Sequence, residues 1–220
     1  MQYPSTFATV FLACAIATGH LGVSSAGPPE RQTEFGSFIG DVLVEWLADA
    51  TPDRRVRLLA DFGYEDPDKN RWMVPKGWIV DGASIPRVLW TLVGSPFVGD
   101  YRRASVVHDY YCDIKSRRWR DVHRMFYYAS LAGGVAKTQA KLMYAAVYAG
   151  GPRWERTSRL HCVREFREGE LREYCSSIPE LAVEPTRVIE ESRLKEIHNW
   201  ITETDPTIPE IEARADLTLR

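Results

Sequence analysis

The sequence predicts an α+β fold: a small antiparallel β-meander, then an antiparallel helical layer, then a C-terminal helical extension. Three observations carry this. Short apolar runs broken by turn residues fill residues 41–80, apolar residues recur at helical spacing from 100 to 150, and strand signals precede helix signals instead of alternating with them. With 220 residues, 45% hydrophobic and 26% charged, the chain suffices for one buried core plus appendages. A formal net charge of −2 argues against nucleic acid as a partner, and seven Trp and ten Tyr argue against disorder.

The first 26 residues contain no Lys, Arg, Asp or Glu, and Thr6 to Val23 is almost wholly apolar or small. This run ends at Ser24-Ser25-Ala26 before Gly27-Pro28-Pro29, the pattern of a signal peptide cleaved after Ala26. Export to the periplasm or the exterior is therefore expected. The usual basic start of a signal is missing, so an uncleaved N-terminal membrane anchor is the alternative. Residues 27–40 read as a linker.

The core α+β domain is expected over 41–152. Asp41–Trp46 and Arg55–Ala60 read as strands about a turn at Thr51-Pro52-Asp53, and Arg71–Val74 and Trp78–Val80 as two more about Pro75-Lys76-Gly77. The last strand runs into Asp81-Gly82-Ala83-Ser84-Ile85-Pro86, where Gly82 can turn, Ser84 can cap and Pro86 suits a first helical turn, giving a short helix over 85–92. Three longer helices follow. The first starts at Asp100 and ends near Asp113; the second spans 117–131 and stops at Gly133-Gly134; the third starts at Thr138 and stops at Gly150-Gly151-Pro152.

Cys162 and Cys175 lie too far apart on one unbroken helix to bond, about 20 Å at 1.5 Å per residue, so residues 153–178 are expected to form a disulfide-closed helical hairpin reversing near Gly169. Cys112 is left as a buried thiol. Residues 179–220, with ten acidic against five basic residues, read as a helix over 188–201 and a loose acidic tail. That acidic region is where an envelope partner would bind.

The chemistry concentrates between Asp100 and Gly134. Ala104, Val107, His108 and Tyr111 share one helical stripe, as do Trp119, Val122, His123 and Phe126, so both histidines point inward. Counted from a turn near Lys115, they stand at one level on antiparallel neighbours. His108, Asp109 and His123 are therefore candidate ligands for one divalent metal. Alternatively His108 serves as a general base, with Asp109 and Asp81 as further catalytic candidates. The competing reading is a satisfied core histidine pair, with the basic cluster Lys115–Arg120 as a solvated junction.

The runs VPKGWIVDGASIPRVLW, HDYYC and RDVHRMFYYA resemble the bacterial and tailed-phage family called domain of unknown function 1353, over about residues 72–150. The resemblance brings no established activity. In that family the position of His123 is often an Asp; a histidine there can bind metal but cannot act as a carboxylate. Two functions follow as expectations: an exported hydrolase with a His/Asp or metal-assisted site, or a non-catalytic envelope or phage-derived binding or structural module.

Overall fold

The computed structural model describes residues 34–47, 55–80, 99–184 and 186–218. Asp81, Ser84 and the helix expected over 85–92 lie outside the described residues, as does the N-terminal run to Val23.

Six short strands form two antiparallel sheets. β1 (Ser37–Ile39), β4 (Phe62–Glu65) and β5 (Arg71–Val74) make one in the order β1-β4-β5; β2 (Val44–Trp46), β3 (Val56–Leu58) and β6 (Ile79–Val80) make the other in the order β2-β3-β6. The single four-strand meander is thus corrected to two three-stranded sheets. The four expected strands are present, but β1 lies inside the expected linker, and β4 forms between two expected strands where none was expected. Gly63 hid β4 from propensity. It is required there because a Cβ would meet the Met73 sulfur at 2.5 Å and the Trp72 carbonyl at 2.8 Å. Asp66 shapes the β4–β5 turn by accepting bonds from the Asn70 backbone N–H at 2.8 Å and the Trp72 indole at 3.0 Å.

The helical layer matches expectation closely: α1 (Arg102–Ile114), α2 (Trp119–Ala132) and α3 (Lys137–Gly150). The starts differ by one or two residues from those expected at Asp100, 117 and Thr138: the N-cap residues are Tyr101, Arg118 and Ala136, none with a side-chain cap bond. α1 packs on β4, β5 and β6, α2 on α1 and β1, and α3 on α2. α3 is buried from Ala140 to Gly150 because two further helices, α4 (Glu191–Thr204) and α5 (Ile208–Thr218), cover its far side. Gly150 permits that approach, since a Cβ would lie 2.8 Å from the Ile189 Cδ1.

The acidic tail is therefore not loose. Glu212 accepts from Arg124 and from the Tyr144 hydroxyl, both at 2.5 Å; Asp205 pairs with Lys137 and the buried Lys141; Asp216 accepts from the Tyr148 hydroxyl at 3.2 Å. Apolar Ile201 and Ile211 complete the core behind these contacts.

The helical hairpin expected over 153–178 is a β-hairpin. β7 (Arg153–Arg167) pairs with β8 (Glu170–Glu184) from Arg153↔Glu184 to Arg167↔Glu170. Glu168 and Gly169 turn the chain with φ of 55° and 86°, both left-handed, as a two-residue hairpin turn demands. Cys162 faces Cys175 in this register, and the two are disulfide-bonded with Cα atoms 4.0 Å apart. The expected pairing is correct and the expected conformation is not.

Candidate functional site

α1 and α2 lie antiparallel across a short turn at Lys115, whose left-handed backbone (φ 50°) ends α1. Their inward stripes bring His108 and His123 together at the level that counting from the turn predicts. Nε2 of His108 lies 2.8 Å from Nδ1 of His123, and neither residue has any exposed surface (0% each).

The protons on this pair follow from its surroundings. Nε2 of His123 lies 3.2 Å from the Pro152 carbonyl, which can only accept, so His123 donates there and its Nδ1 is the acceptor. His108 therefore donates from Nε2 to His123. Its own Nδ1 is left to accept, with the Cys112 sulfur 3.9 Å away and one helical turn along α1. A chain of neutral groups thus runs from α1 through α2 to the entry of β7. Burial drives the His108 pKa down to about 3. Burial, then the neighbouring His108, hold His123 well below the usual imidazole value; the Pro152 bond opposes them, and Arg153 adds to them.

Aromatic rings wall the pair in. Phe126 stands 4.7 Å from His108 between ring centroids, and Trp119 and Trp154 stand 5.5 and 6.4 Å from His123. Trp154 is fixed by donating its indole N–H to the Arg117 carbonyl at 2.7 Å. Gly151 closes the remaining side, where a Cβ would meet the His123 ring at 3.1 Å and the Val147 carbonyl at 2.3 Å. Beyond the tryptophans lies a cleft of about 1120 Å³, lined by Trp72, Arg117, Trp119, Tyr128 and Trp154 among others, but by neither histidine. The basic turn is engaged with its neighbours. Arg117 stacks 4.2 Å over Trp72 and donates to the Arg71 carbonyl, and Arg120 lies 4.4 Å over Trp119.

Of the expected metal ligands, His108 and His123 come together and Asp109 does not join them. Asp109 is buried on α1. Among the described residues, the potential ligand atoms that converge are those of His108, His123 and Cys112, all within 4.8 Å of one another. Cys112 thus stands where Asp109 was expected. Its position four residues after His108, hence on the same helical face, was the available signal.

The fold and its site define a class: a small α+β domain whose helix pair is joined by a sealed polar chain. Residues 56–147 match the model of a family described as protein of unknown function (DUF1353), and over that segment the chain is similar to the family. The chain is similar to two uncharacterised proteins of Sinorhizobium fredii. One, y4jT, is 42% identical over 151 residues, which is 67% of this chain and 44% of the relative; the other, y4iH, is 50% identical over 109 residues, 49% and 46% respectively. The chain thus spans less than half the length of either relative. No solved structure matches it.

Proposed function

We propose that the protein is a non-catalytic module working outside the cytoplasm, in which His108 and His123 lock the helix pair to the entry of β7. The carrying observation is that both imidazoles are sealed and hydrogen-bonded in series to Pro152. A general base serves best with a pKa near the working pH and within reach of substrate. His108, with no exposure and a pKa pushed down to about 3, has neither property. The disulfide supports an oxidising compartment, in agreement with the export signal expected at residues 1–26. The ribbon β7–β8 supports a role in contact with another macromolecule. Leu160, Phe166 and Leu171 are 68%, 74% and 62% exposed on one of its faces.

The competing hydrolase reading needs water and an ester or amide to reach His108. The deciding experiment is a broad esterase and peptidase screen of the full chain beside a His108→Gln variant shown to be folded. No turnover above buffer is expected. Hydrolysis by the wild type that His108→Gln abolishes would overturn the proposal.

A further inference from the structure

We propose that His108, Cys112 and His123 form a binding site for one divalent transition metal of the zinc type. This goes beyond the role of the pair as a lock and does not depend on whether the module is catalytic. Zinc binds imidazole nitrogen at about 2.0–2.1 Å and thiolate sulfur at about 2.3 Å; tetrahedral angles then set two nitrogens about 3.3 Å apart and nitrogen and sulfur about 3.6 Å apart. The Cys112 sulfur already lies 3.6 Å from Nε2 of His108. The two imidazole nitrogens lie 2.8 Å apart, the spacing of a shared proton, so the rings must part by roughly half an ångström on loading.

Three details favour the site. Two ligands sit one turn apart on α1 and the third faces them from α2, so the cluster is held by rigid elements. The Pro152 carbonyl accepts from Nε2 of His123, leaving Nδ1 to face the cluster; this is the outer contact that commonly orients a metal-bound histidine. One thiolate with two imidazoles suits zinc, cobalt or copper and not magnesium or calcium.

The proton balance is explicit. Cys112 releases its thiol proton to solvent, His108 moves its single proton from Nε2 to Nδ1, and His123 keeps its proton on Nε2. One proton leaves per metal bound, and the metal takes Nε2 of His108, Nδ1 of His123 and Sγ of Cys112, with a water for the fourth position.

The test uses the full chain carrying Cys14→Ser, purified without an affinity tag and refolded in cobalt(II) with the Cys162–Cys175 bond intact. Cys112 is then the sole thiol, so any sulfur-to-cobalt charge-transfer band in the near ultraviolet reports it alone. One tightly held cobalt per chain with that band is expected, bleached by one equivalent of zinc, and absent after Cys112→Ser. Folded protein that retains no cobalt, or retains it without the band, overturns the proposal. So does a band that survives Cys112→Ser. If Cys112→Ser does not fold, the Cys14→Ser chain still decides the question.

Discussion

Between α1 and α2 the contact is sealed, and polar atoms are admitted only because each has a partner. In the ribbon β7–β8, residues 155–184 are all exposed, and the strands are joined by their ladder and one disulfide. A two-stranded ribbon without a core is marginal in water. The helix pair draws its order from burial, which makes it sensitive to volume and charge. The ribbon draws its order from a covalent bond, which makes it sensitive to reductant and indifferent to both. Perturbations should therefore separate the two regions.

Acid is expected to give the largest effect. Unfolded histidines protonate near pH 6.5, whereas the folded pair resists protonation, His108 down to about 3. Stability from the neutral pair is complete above pH 6.5 and falls with pH, each histidine adding a slope approaching about 1.4 kcal/mol per pH unit. Roughly 4 kcal/mol should be lost by pH 5, read by urea denaturation, while the protection factors of the ribbon amides change little. A flat profile from pH 7 to 5 contradicts the sealed pair.

His123→Ala comes next, removing a fully buried ring and leaving His108 without its acceptor, at a cost of about 3 kcal/mol. Gly151→Ala should cost about 2 kcal/mol by pressing a methyl into the His123 ring and the Val147 carbonyl. Glu212→Gln should cost about 1.5 kcal/mol, since it weakens the charge-assisted bond to Arg124. All three are read from denaturant midpoints at pH 7. Smallest is Cys162→Ser with Cys175→Ser: less than about 1 kcal/mol in the domain midpoint, with amide protection lost across residues 155–184 alone. A large fall in the domain midpoint would show that the regions are coupled.

The same contrast explains what the sequence disclosed. The α1 and α2 stripes were legible because burial imposes a period: Val107, His108 and Tyr111 on one face, Val122, His123 and Phe126 on the other. Level counting from Lys115 then placed the histidines opposite each other. The ribbon faces solvent on both sides, so no core wrote a period of two into Arg164-Glu165-Phe166-Arg167, and its charged residues suit a helix equally well. Symmetry was the overlooked signal. Cys162 lies six residues before Glu168 and Cys175 six after Gly169, the spacing a cross-strand bond over a two-residue turn requires. Cys112 was recognised as buried, but its partners became visible only with the packing of α2 on α1. Strand β1 was hidden because its partner β4 lies far along the chain, and pairing of that kind leaves little local mark.

Arg153 pairs with Glu184, so the chain leaves the domain and returns to it at one point, one strand spacing apart. The ribbon is a closed excursion of about 50 Å, at about 3.3 Å per residue, and the 56–147 family match ends before it begins. Its length is free to vary without rerouting α3 or α4. Two residues added to each strand would carry the tip outward by about 7 Å and keep every side chain on its present face. One residue added to each would instead reverse the faces of everything beyond the insertion. Reach and facing are thus set by simple counting along two strands, independently of the domain that carries them.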